Sequence, residues 1–286
     1  MLGKQVLSKL IIQEKYEIFT VSRNPLEISS NHFINDIADS DQLIQVLKAC
    51  QPEIVINCAA YVNLDYCEKN HIKTDLLHQH AVSILSSYPT VESLYYISTD
   101  SVFDGQRGNY SENDTTNPLN FYASSKLNGE TEVLKKAKKP YIIRTNILGF
   151  NSIAGKSLFE WAYQNLSSGN NIKGFSNVYF NPLYVGDLAE MLISFIEMNC
   201  NPGIYNFASQ PAVSKYTTLL KIADVFGFDI GLVKPMDLDI SQTDIIKPLN
   251  TTLDTHKIAT LGIEVPDIDT CIHNLYNDFC KYGIRI

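Results

Sequence analysis

The chain contains Tyr-Tyr-Ile-Ser-Thr-Asp at residues 95–100 and Tyr-Ala-Ser-Ser-Lys at residues 122–126, and these two motifs decide the fold. The first ends an apolar run, which predicts a buried β-strand that finishes in polar residues. The second lies in a longer segment with helical periodicity, where Tyr122 and Lys126 are four residues apart. A helix projects such a pair from one face. A strand followed by a helix is the repeating unit of a parallel sheet.

The same alternation continues along the first two-thirds of the chain. Strands are predicted over 17–21, 32–35, 54–58, 94–98 and 141–145, and helices over 39–50, 67–88 and 120–136. This order predicts an α/β fold, a Rossmann-like doubly wound parallel sheet with helices on both faces. We expect a Rossmann-like domain over residues 1–148. Residues 149–286 then form mainly a small C-terminal α/β cap, with segments around 178–198 returning to the first domain.

Tyr122 and Lys126 suggest proton chemistry. A lysine cation beside a phenol favours the phenolate, so we expect Lys126 to lower the pKa of Tyr122 toward the working pH. Tyr122 then becomes a usable proton donor for a carbonyl that is being reduced. The hydroxyl of Thr99, at the end of the preceding strand, is placed to hold the carbonyl oxygen.

The composition excludes several classes of function. The 286 residues carry a formal net charge of −8, which argues against a nucleic-acid or anionic-membrane surface. The six cysteines show no C-x-x-C spacing, and no His/Cys cluster has the spacing of metal ligands, so we expect no metal site. Scattered thiols favour a reducing cytoplasm. No apolar run approaches the ~18–20 residues that span a bilayer.

The front of the chain departs from the pattern. A dinucleotide-binding fold of this type begins with a strand and a glycine-rich turn. This chain begins Met1-Leu2-Gly3 and continues directly into a predicted helix, so Gly3 is interpreted as the last glycine of that turn. The strand and the earlier glycines need roughly ten more residues. We therefore expect the polypeptide to start further upstream. The alternative is a shortened, cofactor-poor binding module.

Several further segments, spread in order over most of the chain, complete one pattern. They are Pro52–Tyr61, Leu64–Glu68, Ser98–Gly105, Pro118–Glu130, Arg144–Thr145, Asn181–Ala189 and Lys247–Asp254. With them the chain resembles the extended short-chain dehydrogenases/reductases, and most closely their dTDP-4-dehydrorhamnose reductase family. The resemblance implies reduction of a 4-keto group on a nucleotide-linked 6-deoxyhexose, in the synthesis of surface polysaccharide. NADPH is the implied cofactor, NADH is possible, and a homodimer is possible.

The resemblance also assigns roles to residues. Thr99, Tyr122 and Lys126 fall on the catalytic positions, and Lys126 also holds the nicotinamide ribose. The implied cofactor contacts are Gly3, Ser22, Arg23, Asp36, Ile37, Cys58, Ala59, Ala60, Tyr61 and Lys126. The implied substrate contacts are Ser98, Val102, Phe103 and Asn146. A hydroxyl and a guanidinium at 22–23 suit a 2′-phosphate and favour NADPH.

Three positions depart from the family pattern, and two other functions stay open. Ser101 and Asn146 stand where an aromatic residue is usual, and His78 stands where many relatives carry an asparagine. One alternative is an epimerase or dehydratase of the same superfamily, for which Asp100 is ambiguous. The other is a non-catalytic, reductase-like regulatory subunit. The residues do not name the sugar, the nucleotide or the oligomeric state.

Overall fold

A computed structural model describes residues 1–26, 31–151 and 155–282 of the chain. The strands, in chain order, are β1 (Thr20–Ser22), β2 (His32–Ile34), β3 (Ile54–Asn57), β4 (Ser93–Ile97), β5 (Lys139–Thr145), β6 (Ile147–Leu148), β7 (Ile172–Phe175), β8 (Tyr179–Phe180), β9 (Leu183–Tyr184), β10 (Gly203–Phe207), β11 (Val213–Ser214) and β12 (Val233–Met236). The α-helices are α1 (Leu2–Gln13), α2 (Ser40–Cys50), α3 (Leu64–Lys69), α4 (His71–Asp75), α5 (Ala81–Ser87), α6 (Phe121–Lys136), α7 (Leu158–Ser167), α8 (Val185–Glu197), α9 (Lys215–Val225), α10 (His256–Thr260) and α11 (Ile268–Tyr282).

The centre of the molecule is a four-stranded parallel sheet in the order β10-β5-β4-β3. Strands β1 and β2 form a separate parallel pair, and in the part of the chain that the structure describes no backbone pairing joins them to β3. The predicted α/β fold with a parallel sheet is confirmed. Smaller pairs, β7 with β12, β8 with β11 and β6 with β9, build the later part of the chain.

Side chains alternate between the two faces of the sheet, as the pleat requires. Tyr95 and Tyr141 stack with ring centroids 4.4 Å apart, and Phe195 of α8 meets both edge-on. The opposite face carries Tyr96 and Ile142, which belong to a second cluster with residues of α2, α5 and α6. Full burial of one such side chain contributes about 1.5–3 kcal/mol. Both faces of the sheet are therefore covered by helices.

Local sequence explains where the main helices begin. The side chain of Asp39 accepts from the first backbone N–H groups of α2, and Asn120 does the same for α6. Ser157 and Glu160 form a reciprocal capping box at the start of α7. Such caps satisfy donors that a helix N-terminus leaves free. The helix starts that the sequence predicts at residues 39 and 120 are thus explained by the caps Asp39 and Asn120.

Other features were not predicted. The pair β7–β12 was missed because its strands are short and distant in sequence. The predicted helix over 67–88 is divided into α3, α4, a π-helical turn at Leu76–His80 and α5. The strand that the sequence pattern predicts over 203–206 is present as β10, but its position in the central sheet beside β5 was not indicated by the sequence. The division into two domains at residue 148 stays a prediction.

None of the helices in the described ranges is long and apolar enough to cross a membrane. Among residues 1–26, 31–151 and 155–282, no group of three or more His, Cys, Asp or Glu side chains is placed to hold a metal ion.

Candidate active site

The residues predicted for the site lie where β3, β4 and β5 end. In a parallel sheet the carboxyl ends of neighbouring strands meet at one edge, which is where such folds bind ligands. Strand β3 leads into residues 58–61, β4 leads into Ser98–Asp100, and β5 leads into Asn146. The topology therefore brings together segments that are far apart in sequence.

Helix α6 is fixed at the end that carries Tyr122. Its cap residue, Asn120, also donates from Nδ2 to the backbone carbonyl of Ile246 at 3.1 Å. The backbone N–H of Phe121 donates to Oε1 of Glu68 at 2.7 Å. The first turn of the helix is thus held by contacts from two other parts of the chain.

Lys126 is almost completely buried, with 2% of its surface exposed. Its Nζ donates to the carbonyl oxygen of Ile97 at 2.7 Å and lies 4.0 Å from the centroid of the Tyr96 ring. Burial lowers the pKa of Lys126 to about 7, against the opposing influence of Glu130 and Cys58. The ammonium is directed at the end of β4, one residue before Ser98.

The pKa of Tyr122 differs from the one that the sequence predicts. Loss of solvation, with a smaller contribution from the charge of Asp100 and against an opposing influence of the Thr99 hydroxyl, raises the pKa of Tyr122 to about 12. The expected lowering of this pKa by Lys126 is wrong for this structure, because the ammonium engages the Ile97 carbonyl instead. With this raised pKa the phenol keeps its proton at neutral pH, which is a suitable state for a proton donor.

Asp100 anchors the other side of Thr99. Its Oδ1 accepts from the hydroxyls of Thr99 at 3.1 Å and Ser101 at 3.2 Å. Its Oδ2 accepts from Nδ2 of Asn146 at 2.8 Å and from the hydroxyl of Thr251 at 2.6 Å. Burial raises the pKa of Asp100 and these four bonds lower it. The amide of Asn146, a predicted substrate contact, is therefore committed to Asp100.

The remaining predicted substrate contacts are packed inside the protein. The hydroxyl of Ser98 donates to Oε1 of Glu130 at 2.5 Å, and Glu130 forms a buried ion pair with Arg144, with Nη2 and Oε2 2.7 Å apart. Val102 and Phe103 are fully buried, and Phe103 stacks on Tyr110 with centroids 4.2 Å apart. These side chains support the site from behind.

A cleft of about 700 Å³ lies beside this corner, and three of the predicted cofactor contacts, Arg23, Asp36 and Tyr61, line it. Its lining residues are Arg23, Asp36, Ala38, Asp39, Ser40, Asp41, Tyr61, Tyr66, Lys73 and Leu76. The guanidinium of Arg23 lies 5.6 Å from the centroid of the Tyr61 ring, and the Tyr61 and Tyr66 rings are 4.8 Å apart. Of the other predicted contacts, Ser22 donates to the carbonyl of Asn24 at 2.5 Å. Ile37 packs against the core.

The segment 58–61 passes close to the start of α1. An ideal Cβ on Gly3 lies 3.8 Å from the Cβ of Cys58, so helix and segment are in van der Waals contact. Loss of solvation raises the pKa of the Cys58 thiol to about 12, which makes it unreactive. The N–H of Ala59 donates to Oδ1 of Asn57 at 3.0 Å. Ala60 follows, half-buried, before Tyr61.

Two lysines near the site, Lys73 and Lys215, were not identified as candidate site residues from the sequence. Lys73 lines the cleft with Arg23, but nothing in a helical run singles it out. Lys215 begins α9, and its Nζ lies 5.8 Å from the Phe180 ring. Burial lowers the pKa of Lys215, Asp100 raises it and Lys247 lowers it, so these charges share one neighbourhood. Only Lys247 stood in a segment that matched the family pattern.

Comparison with known proteins gives a consistent result. The family described as RmlD substrate binding domain matches residues 1–280. The chain is 27% identical to dTDP-4-dehydrorhamnose reductase of Aggregatibacter actinomycetemcomitans, over 96% of this chain and 94% of that protein. It is 28% identical to methionine adenosyltransferase 2 subunit beta of Danio rerio, over 80% and 73%. The crystal structure of dTDP-4-dehydrorhamnose reductase from Bacillus anthracis in complex with NADP aligns with a TM-score of 0.84 at 24% identity, over 97% and 95%.

Proposed function

The chain belongs to the RmlD substrate binding domain family, and from that premise we propose that it reduces a keto group of a nucleotide-linked sugar with a nicotinamide cofactor. One observation carries the proposal. The half-buried Tyr122, whose pKa is raised by loss of solvation, lies in the first turn of the helix that packs against the carboxyl end of β4 beside Thr99, and Nζ of Lys126 donates to the Ile97 carbonyl at the same strand end. This arrangement can deliver a proton to a carbonyl oxygen.

The residues of the cleft fit a dinucleotide. Tyr61 offers an aromatic wall, Asp36 an acceptor, and Arg23 with Lys73 two cations. Two cations suit the charge of a 2′-phosphate, so we propose NADPH as the preferred cofactor and NADH as possible. The NADP bound to the Bacillus anthracis reductase supports this choice. Gly3 and Cys58 would flank the pyrophosphate. The bound cofactor supplies the hydride that reduces the carbonyl carbon.

The chain's own residues handle the proton. With substrate present, the hydroxyl of Thr99 would turn from Asp100 to donate to the carbonyl oxygen, and Tyr122 would transfer its hydroxyl proton to that oxygen. The charge of Lys126 would stabilise the phenolate that remains, and its ammonium would also hold the ribose hydroxyls of the cofactor. Because the Ile97 carbonyl and the Tyr96 ring fix the lysine beforehand, little reorganisation is needed during the reaction.

The proposed substrate is a 4-keto-6-deoxyhexose linked to a nucleoside diphosphate. We propose that the reaction takes place in the cytoplasm and that its product is used for the synthesis of surface polysaccharide. The dTDP-4-dehydrorhamnose reductase relative supports the sugar class. Lys215 and Lys247, from two segments of the later part of the chain, supply positive charge beside Asp100 for a diphosphate. The homodimer stays a prediction.

A second candidate has one specific observation in its favour. Methionine adenosyltransferase 2 subunit beta, a subunit rather than a reductase by name, matches 80% of the chain. A regulatory role therefore remains the main competitor. The epimerase or dehydratase alternative is less supported, because Asp100 accepts four hydrogen bonds and is 1% exposed, which leaves it little freedom as an acid.

The test is NADPH oxidation against a panel of dTDP-, GDP- and CDP-linked 4-keto sugars. We expect turnover with at least one member of the panel. No turnover with any sugar, together with stable binding of a methionine adenosyltransferase catalytic subunit, would support the regulatory role and overturn the reductase.

A further inference from the structure

His78 lies directly behind the catalytic helix. It belongs to the π-helical turn Leu76–His80, and only 1% of its surface is exposed. Its ring meets that of Tyr122 edge-on, with centroids 6.0 Å apart. Single π turns within helices occur often at functional sites. The function proposed above gives this buried imidazole no part in the proton transfer.

Two hydrogen bonds define the state of the ring. The backbone N–H of Tyr61 donates to Nε2 at 2.8 Å, so Nε2 carries no proton. Nδ1 lies 2.8 Å from the hydroxyl of Ser125, and that hydroxyl already donates to the carbonyl oxygen of Tyr122 at 2.9 Å. Nδ1 must therefore carry the hydrogen and donate it to Ser125. His78 is a neutral imidazole that connects residue 61 to the catalytic helix.

The surroundings keep the ring neutral. Burial and the nearby Lys126 cation lower the pKa of His78 to about 3. The other titratable groups around the ring are the hydroxyls of Tyr61, Tyr122 and Tyr96 and the thiol of Cys67, whose Sγ donates to the Tyr61 carbonyl at 3.5 Å. None of these groups is an anion at neutral pH. A proton on the ring would also break the bond from Tyr61.

The backbone behind His78 is equally constrained. The hydroxyl of Tyr96 donates to the carbonyl of His78 at 3.4 Å. A Cβ on Gly129 would come within 2.4 Å of that carbonyl oxygen and within 2.3 Å of the Tyr96 hydroxyl. Only a glycine at this position of α6 allows the helix to approach the π turn so closely. The imidazole is therefore held at a defined distance from α6.

We propose that His78 is a positioning residue that ties the cofactor segment 58–61 to the catalytic helix α6. This inference rests on the proposed function. The ring of Tyr61 forms a wall of the cleft and meets Arg23, so the bond to its backbone sets that wall relative to Tyr122. Loss of the bond should loosen the cleft and leave the proton donor in place.

Two substitutions test separately the hydrogen bonds of the two imidazole nitrogens, Nε2 and Nδ1. His78→Gln can place its side-chain oxygen near the position of Nε2 and accept from Tyr61. His78→Asn reaches only to the position of Nδ1 and keeps the contact with Ser125. His273→Asn, an exposed histidine on α11, is the matched control.

The first readout is hydrogen exchange at the Tyr61 amide, measured by NMR without any ligand. We expect protection of the Tyr61 amide in the wild type, in H78Q and in H273N. In H78N we expect exchange about ten-fold faster or more, because the N–H of Tyr61 loses its acceptor.

The second readout is NADPH affinity by calorimetry. H78N should weaken it about ten-fold and raise KM for NADPH more than it lowers kcat, whereas H78Q should stay within about three-fold.

Equal protection of the Tyr61 amide in H78N and H78Q would overturn the proposal. Provided that the wild type binds NADPH, equal NADPH affinity of these two variants would also overturn it, as would a His78 ring that titrates near its ordinary pKa. Failure of the proposed function looks different. In that case the wild type turns over no sugar, while the exchange rates still separate H78N from H78Q.

Discussion

The proton-donating corner and the adenosine cleft are neighbours, but they are built differently. The corner, formed by β4 and α6, has buried polar groups that are hydrogen-bonded, and its lysine, aspartate and glutamate are nearly inaccessible. The cleft lies beside the three-residue strands β1 and β2, which within the described residues pair with each other alone, and its Arg23 and Lys73 are exposed. The corner is therefore formed before any ligand binds. The cleft has few contacts, and a ligand would add to its stability.

Removal of the phenolic hydroxyl should produce the largest effect. Tyr122→Phe deletes the proton donor, so kcat for sugar reduction should fall about 10²–10⁴-fold. NADPH affinity should change little, because the cleft is untouched. Steady-state kinetics and calorimetry measure both quantities. A variant that retains more than a tenth of the wild-type kcat would disprove the role of Tyr122.

The next effect concerns the stability of the corner. Glu130→Gln leaves the buried Arg144 cation without its carboxylate, and we expect the free energy of unfolding to fall by about 3–5 kcal/mol. Glu132→Gln is the matched control on the same helix, since its pair with Lys136 is more exposed and worth about 0.5 kcal/mol or less. Urea unfolding compares the two variants. Similar losses in both would contradict the contrast between buried and exposed regions.

A substitution in the cleft should act on affinity alone. Arg23→Met removes a cation that faces the proposed 2′-phosphate, so NADPH affinity should fall about ten-fold, NADH affinity should change less, and unfolding should stay within about 0.5 kcal/mol. Lys234→Met, at an exposed position of β12, serves as the control. An equal loss for both cofactors would remove Arg23 from phosphate recognition.

The pH dependence tests the lysine of the corner. Lys126 has a pKa near 7 in the free protein, and a lysine is charged only below its pKa. The value of kcat/KM should therefore fall as pH rises through about 7, by at most ten-fold per unit. Profiles between pH 6 and 9 test this, with Lys126→Arg as a variant that keeps its charge. A flat wild-type profile would show that the ammonium is not required.

Local sequence patterns made much of the fold and of the proton-donating corner predictable. The apolar run before Ser98, the cap at Asn120 and the spacing of Tyr122 and Lys126 are encoded within a few residues, and the structure places them accordingly. The direction of the Lys126 ammonium was not predictable, because it depends on the carbonyl at the end of β4. The contact between His78 and residue 61 depends on one π turn, which no periodicity reveals.

Loss of solvation around the half-buried Tyr122 keeps its phenol protonated, so that the proton is in place before the substrate arrives. The most direct test is a pH titration of the tyrosine Cζ signals by carbon-13 NMR in the free protein, with Tyr122→Phe to assign the resonance. With a pKa raised to about 12, the Tyr122 signal should not move between pH 6 and pH 10. A midpoint near pH 7 or 8 would contradict the account and restore the phenolate favoured by Lys126.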